Sequence, residues 1–307
     1  MKKNKGSSET TREAVSFNFD EYIKVKPSHI KNVDLLFLEW FLGFVEGDGS
    51  FIVTTSMKKK RPAILFCINQ KDGQLMFKIK KRLGFGVVTS YVQNNTTYHR
   101  YAVYDNVSIR RLIHLFNGNL LSDKVSKRFE LWLQQYNGQQ HYMVDNHSCI
   151  LFKPAKPTLY FHSAWLSGFT DAEGGFYASL TKQKNDKLQY RLRIKFYITQ
   201  KHELKLLTDI ATCIYEKSIQ KQDNVFNAAR YISKTKNDIY RLEISTHSLI
   251  VSCIEYLKKY PLQGKKHIVF NRWKNIFFNK DMLKQQSLVS LKQFERFQKL
   301  VRAVQNN

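Results

Sequence analysis

Trp40-Phe-Leu-Gly-Phe-Val-Glu-Gly-Asp-Gly-Ser-Phe51 is written a second time, with changes, as Trp165-Leu-Ser-Gly-Phe-Thr-Asp-Ala-Glu-Gly-Gly-Phe176. The correspondence continues downstream. Phe66-Cys-Ile-Asn-Gln-Lys71 answers Phe196-Tyr-Ile-Thr-Gln-Lys201, and the stretch Lys124 to Trp132 answers Lys265 to Trp273. The offset grows from 125 (43 to 168) through 130 (70 to 200) to 141 (124 to 265). Order is kept while spacing grows, which describes two copies of one unit with extra loop residues in the second. A period this long is wrong for a solenoid and right for two pseudo-symmetric half-domains.

Within each copy the hydrophobic period predicts a helix ending at the glycine motif, two strands, a helix, two more strands, then one or two helices. Leu35, Leu38, Leu42 and Val45 recur at helical spacing, and Gly49 stands where a left-handed residue would stop the helix. The chain therefore reads as an α/β (α+β) protein. Its segments are a tail or arm at 1–33, a first half at 34–137, a connector at 138–160, a second half at 161–280 and a C-terminal helix at 281–307.

Residues 189–199 alternate with period two. Gln189, Arg191, Arg193, Lys195, Tyr197 and Thr199 share one face; Tyr190, Leu192, Ile194, Phe196 and Ile198 share the other. On its own such a strand is an ordinary sheet with a solvated polar face. Composition shifts the balance, because 50 Lys plus Arg against 25 Asp plus Glu leave a formal charge of +25 over 307 residues. A polyanion is the partner that would offset this self-repulsion, and the basic face is expected to contact phosphates and bases of a nucleic acid.

Other classes are set aside by what the sequence lacks. There is no apolar run long enough for a membrane span, no CxxC pair among the four cysteines, and no HExxH, Walker-type loop or GxGxxG. Residues 1–30 lack a secretory apolar core.

Gly43 and Gly47 lie four apart on one helix, as do Gly168 and Ala172 on the other. Small residues at that spacing let two helix backbones approach closely, so the copies are expected to pack along this seam. Asp48 and Glu173 would then emerge side by side at the negative ends of two helix dipoles, where like charges repel. A divalent cation reverses that balance. Hard oxygen ligands with open positions suit magnesium, which keeps waters and takes phosphate oxygens. Glu46 and Asp171, two positions earlier, are assigned to local hydrogen bonding and charge balance.

Phe41 to Gly49 and Leu166 to Gly174 resemble the LAGLIDADG signature of homing endonucleases and related intron maturases, and the resemblance extends from about Asp34 to Asn279. It implies two αββαββα half-domains whose saddle-shaped antiparallel sheets lie on DNA, with a central helix pair that carries the metals. It also implies metal-dependent double-strand cleavage of a long target with short 3′ overhangs. Two or three Mg2+ ions would be shared by Asp48, Glu173 and the backbone carbonyls of Gly47 and Ala172. Gln70 and Gln200 match a residue that orders water near the metals, and Lys124 and Lys265 match a basic residue near the scissile phosphates. A monomer, an intron origin and a mitochondrial or chloroplast setting follow from the same resemblance, with intron RNA as an alternative partner. Two departures stand out: Glu46-Gly47 replaces the consensus Asp-Ala, and Glu173 replaces the terminal Asp.

Overall fold

The computed structural model of the chain describes residues 17–54, 63–140, 149–155, 162–183, 186–218, 226–283 and 290–305. The first half runs α2 (Leu35–Asp48), β1 (Gly49–Thr54), β2 (Ala63–Gln70), α3 (Gly73–Leu83), β3 (Val87–Gln93), β4 (Thr96–Val103), α4 (Asn106–Phe116) and α5 (Asp123–Gln140), preceded by a short α1 (Asp20–Val25). The second runs α6 (Trp165–Glu173), β5 (Gly174–Gln183), β6 (Asp186–Lys201), α7 (Leu204–Ser218), β7 (Ile232–Lys234), β8 (Ile239–Ile244), α8 (His247–Lys259) and α9 (Lys266–Phe278), followed by α10 (Leu291–Gln305). Each half builds one antiparallel four-stranded sheet, ordered β1-β2-β4-β3 and β5-β6-β8-β7. The expected αββαββα plan is present twice.

Local signals start these elements. Asp34, Asp72 and Asp105 precede α2, α3 and α4, and each carboxylate accepts a backbone N–H from the first turn, of Phe37, Leu75 and Ser108 respectively. Gly84 ends α3 at φ 79°, a left-handed conformation that glycine adopts without strain. At Gly49 the expectation of a left-handed stop is corrected. Its φ is −73° and its ψ 143°, because α2 passes straight into β1 with no turn between them. Glycine is required there for space, since a Cβ would lie 2.6 Å from the Val45 carbonyl oxygen.

Beneath each sheet lies an aromatic core with matching members. Phe51 and Phe66 face each other across β1 and β2 and pack with Phe129 and Trp132 of α5. In the second half Phe176 and Phe196 face each other and pack on Phe270 and Trp273 of α9. The matched tryptophans Trp132 and Trp273 are both fully buried. The growth in offset from 130 to 141 falls between Gln200 and Arg241, since Gln70 and Gln200 are 130 apart whereas Arg100 and Arg241, which pair with Asn69 and Thr199, are 141 apart. Only part of it is loop, for α7 has 15 residues where α3 has 11.

Residues 17–33, read from sequence as part of a tail, are packed on the first half. Tyr22 is buried, Arg111 of α4 donates to the Val25 carbonyl at 2.9 Å, and Asn119 exchanges hydrogen bonds with Asn18. Two aromatic residues, Phe19 and Tyr22, supply the apolar area that ties this segment down. α10 packs against β5 and α9 through Phe297, Val301 and Val304. Among the described residues no helix is long and apolar enough to cross a membrane.

The halves meet along α2 and α6. A Cβ placed on Gly43 would lie 1.9 Å from the Trp165 carbonyl oxygen, and one on Gly168 would lie 1.8 Å from that of Trp40. Neither obstacle is a flexible side chain. Gly168→Ala is expected to destabilise the protein by about 4 kcal/mol or more in chemical denaturation, at the exceptional end for single substitutions. Gly138→Ala, on the exposed side of α5 with no atom within 4 Å of the new Cβ, should stabilise by roughly 0.5–1 kcal/mol through helix propensity.

Candidate metal centre and nucleic-acid face

Because the seam is closest at the two glycines, the C-terminal ends of α2 and α6 are also brought together. A Cβ on Gly47 would meet the Ala172 Cβ at 2.3 Å and the Glu173 Cγ at 2.8 Å. Asp48 and Glu173, the next residues on each helix, therefore share one small region, and the Glu173 charge acts on Asp48. Each is met by a glutamine from the end of its own sheet's second strand. Gln70 Nε2 donates to Asp48 Oδ2 at 2.6 Å, and Gln200 hydrogen-bonds Glu173. Burial pushes the Asp48 carboxyl up to about 6, the Gln70 bond acts against it, and the Glu173 charge adds to it. Glu173 is also raised by burial, with Gln200, Lys124 and Lys266 pulling the other way.

The acids two positions earlier have the structural role assigned to them. Trp40 Nε1 donates to Asp171 Oδ2 and Trp165 Nε1 to Glu46 Oε1, both at 2.9 Å, so each indole crosses the seam to the opposite helix. Glu46 also accepts the backbone N–H groups of Leu121 and Ser122, while Asp171 accepts those of Gln263 and Gly264. Burial pushes Glu46 up to about 7, but all three of its partners are N–H donors and favour the ionised form. Through these bonds the seam holds the loops that lead into α5 and α9. The candidate lysines stand where those loops enter the helices.

Lys124 reaches the centre: its Nζ donates to Gln200 Oε1 at 3.2 Å. Lys265 does not reach it. Its side chain is exposed, and its backbone N–H donates to Asp72 Oδ2 at 3.1 Å. The next residue, Lys266, which sequence reasoning passed over, is half-buried and donates from Nζ to the carbonyls of Thr170 at 3.2 Å and Ala172 at 2.9 Å. Burial lowers its pKa, while Asp171, Asp48 and Glu173 pull it back up. The doubled lysine at 265 and 266 was the available signal.

These residues fit a divalent cation. Two desolvated carboxylates adjoin each other, and an ammonium group sits on the Ala172 carbonyl, a location that favours positive charge. Among the described residues no cluster of three or more His, Cys, Asp or Glu occurs. Further ligands would be backbone carbonyls, water and phosphate oxygens, a donor set suited to magnesium or calcium.

The basic strand face follows the expected alternation. Arg191 and Arg193 are exposed on β6, while Phe196 and Ile198 are buried on the other side. Lys195, Tyr197 and Thr199 are half-buried, and the side chain of Gln189 lies outside the described residues. Lys195 is ion-paired with Glu243 of β8 at 2.6 Å, and Arg241 lies over the Tyr197 ring at 3.9 Å while bonding Glu243 at 3.0 Å. Burial raises the Glu243 carboxyl, but Lys195 and Arg241 together hold it below its usual value. In the first sheet Arg100 lies over Tyr91 at 5.3 Å and bonds Asn69 Oδ1 at 2.8 Å. Arg100 and Arg241 share the offset of 141 seen at the lysines and tryptophans, so extending the repeat alignment would have found them.

A glycine-seamed helix pair carrying one terminal carboxylate per half, between two antiparallel sheets, defines a class. The chain belongs to the LAGLIDADG endonuclease family, whose pattern it matches over residues 41–136 and 166–277. It is 33% identical over 240 residues to a probable intron-encoded endonuclease 4 of Neurospora crassa, which covers 78% of this chain and 39% of that one. Against an intron-encoded RNA maturase bI4 of Saccharomyces cerevisiae it is 24% identical over 241 residues, covering 77% of this chain and 31% of the relative. The chain thus spans well under half the length of these two relatives. Its fold is similar to that of the LAGLIDADG meganuclease I-AabMI bound to uncleaved DNA, with a TM-score of 0.64 at 20% identity over 88% of this chain and 99% of that one.

Protons would compete with a cation held by Asp48. Its folded pKa of about 6 lies above the ordinary 3.8, so the folded state binds the extra proton between those values. The sign is then fixed: this group's contribution to metal-free stability declines as pH rises through that window, and a cation offsets the decline above about 6. Calcium is expected to raise the thermal unfolding midpoint clearly at about pH 7.5 and little at about pH 5. Equal shifts at both pH values would remove Asp48 as a ligand.

Proposed function

We propose that the chain is a site-specific DNA endonuclease that makes metal-dependent double-strand breaks in a long target. The observation that carries this reading is the pair Asp48 and Glu173, desolvated and side by side at the seam between two sheets in a chain of net charge +25. Two such acidic positions suit hydrolysis of two strands, and the repeat supplies one per half. Magnesium, two or three ions in all, would be held by Asp48, Glu173 and the carbonyls of Gly47 and Ala172. When bound, it would supply an acidified water and neutralise charge at the scissile phosphate.

The chain's own groups have distinct tasks in this reading. Gln70 and Gln200 fix the orientation of the two carboxylates and leave their remaining lone pairs facing the seam. Lys124, anchored on Gln200, places an ammonium where negative charge develops on a phosphate oxygen. Lys266 occupies the Ala172 carbonyl, so it must release that oxygen before the oxygen can ligate a cation, and its freed ammonium is then available to a phosphate. It takes over the role that the sequence assigned to Lys265. Arg191 and Arg193 on β6, with Arg100 and Arg241, supply phosphate and base contacts on the sheet faces, where a guanidinium reads guanine edges bidentately. Sheets that each follow about one turn of duplex give a target of about twenty base pairs.

Short 3′ overhangs, action as a monomer and a mitochondrial or chloroplast setting complete the reading. The name of the yeast relative supports a second one, in which the same scaffold binds intron RNA and assists splicing. Competition of target DNA binding by intron RNA separates the two.

Asp48→Asn and Glu173→Gln keep size and leave the glycine seam intact. On a duplex selected by binding from a randomised library, the double variant should bind like wild type in gel shift and cut slower by orders of magnitude with magnesium. Wild-type cutting by the double variant would remove both carboxylates from the mechanism. Phosphate contacts also release counterions. Affinity should fall on the order of a thousandfold between about 50 and 200 mM salt if six or more phosphates are neutralised, whereas a flat response would sink the groove-binding reading.

A further inference from the structure

Glu203 lies in the turn between β6 and α7 of the second half, yet its partners belong to the first half. It is 5% exposed, and its Oε1 accepts the Ser122 hydroxyl at 2.6 Å and the Lys124 backbone N–H at 3.0 Å. These groups form the entry to α5, an 18-residue helix whose N-terminal N–H groups have no intrahelical acceptors. A carboxylate is favoured at that end by the helix dipole as well as by the hydrogen bonds. From the residue so held, the Lys124 side chain crosses to Gln200 Oε1, and Gln200 bonds Glu173. Lys124 thus serves the carboxylate of the opposite half.

We propose that Glu203 is a positioning residue that sets Lys124 of the first half over the Gln200 and Glu173 pair of the second, making one of the two strand-cutting centres depend on a contact between halves. The inference rests on the endonuclease reading for its consequence in cleavage. Its geometry rests only on the bonds named above.

The other half has only a partial equivalent of this clamp. Asp72 occupies the corresponding turn and accepts the Lys265 backbone N–H at 3.1 Å, but its other oxygen caps α3 through Leu75 at 3.3 Å, and Lys265 itself is exposed. Lys266 instead bonds the carbonyls of its own half. The difference traces to one extra residue. The first turn reads Gln70-Lys71-Asp72, whereas the second reads Gln200-Lys201-His202-Glu203, with His202 at φ 63° and its N–H donating to the Asp238 carbonyl. Both turns send a carboxylate across the interface, but the longer Glu203 side chain accepts from a hydroxyl as well as from a backbone N–H. The halves are therefore wired differently, and loss of Glu203 should act on one strand.

The test compares Glu203→Leu, which keeps volume without acceptors, with Glu203→Gln, which keeps an acceptor oxygen, and with Lys124→Ala as reference. Each is incubated with magnesium and target duplex labelled separately on its two strands. Glu203→Leu should slow the strand that Lys124→Ala slows, on the order of tenfold or more, and leave binding and the other strand within about threefold. Glu203→Gln should recover most of the loss, and Glu203→Leu combined with Lys124→Ala should be no slower than Lys124→Ala alone. A loss shared equally by both strands would make Glu203 a merely structural residue and overturn the proposal. A second readout needs no cleavage: in metal-free protein, acylation of the Lys124 amine, followed by peptide mass spectrometry, should speed up in Glu203→Leu and not in Glu203→Gln. Should Glu203→Leu fail to fold, Ser122→Ala removes one of the two bonds and should give a smaller increase in the same labelling. Unchanged Lys124 labelling in the folded variants overturns the clamp. If wild type cuts neither strand, the endonuclease reading falls while the labelling still decides the geometry.

Discussion

Two helix backbones in contact without intervening Cβ atoms are the constraint from which the rest of this structure follows. At Gly43 and Gly168 the missing Cβ atoms would stand less than 2 Å from the carbonyl oxygens of Trp165 and Trp40. Any side chain there forces the helices apart. The close approach is what lets each indole reach across to the penultimate acid of the other helix, and what lets each acid gather the loop before its own half's long helix. Lys124 and Lys266 stand just beyond those loops. A packing decision at two glycines is thereby transmitted to the placement of two ammonium groups.

The same approach has an electrostatic cost. It desolvates Asp48 and Glu173, which raises both carboxyls, and the Glu173 charge raises Asp48 further. Such an arrangement is not expected of a surface optimised only for stability, where buried acids are paired or fully hydrogen-bonded. Glu46 supplies the contrast on the same helix: it is more deeply buried than Asp48, but the N–H groups of Leu121, Ser122 and Trp165 satisfy it. One acid is built into the scaffold, and the other is left with capacity for a ligand. Their spacing of two residues on α2 turns one inward and the other toward the strand ends.

Much of this was legible in the chain because the repeat doubles every signal. The αββαββα order, the seam, the two carboxylates and the two glutamines all sit at positions where the copies agree, and agreement filters out chance. What escaped lies where the copies diverge or where contacts cross between them. Lys265 was chosen because it aligns with Lys124, but alignment does not say which of two adjacent lysines faces the centre; a helix turns about 100° per residue, and the start of α9 turns Lys266 inward. Gly49 was read as a conformational stop because glycine after a helix usually is one, whereas here the requirement is steric. Phe19 and Tyr22 gave too short a pattern to reveal that the N-terminal segment is held on α4. Glu203 is displaced by one residue from its counterpart Asp72, and its contacts lie 79 and 81 residues away in the other half.

Duplicated halves do not remain equivalent, and the departures concentrate around the centre. One carboxylate is Asp and the other Glu, one lysine bonds a glutamine of the opposite half and the other bonds carbonyls of its own, and one turn carries an extra residue with positive φ. A homodimer could make none of these changes, because every substitution would appear twice. In one chain each half can be adjusted alone while the seam, made from both, still imposes the common geometry. The side chains on the two sheets diverge in the same way. Arg100 is held by Asn69 and stacked on Tyr91, while Arg241 is held by Glu243 and stacked on Tyr197, in a cluster that also binds Lys195. Two sheets with matched arginines but different neighbours suit a target whose halves are related in position and different in sequence. The asymmetry at the centre and the asymmetry on the faces both depend on one fact, that the two copies lie in a single chain.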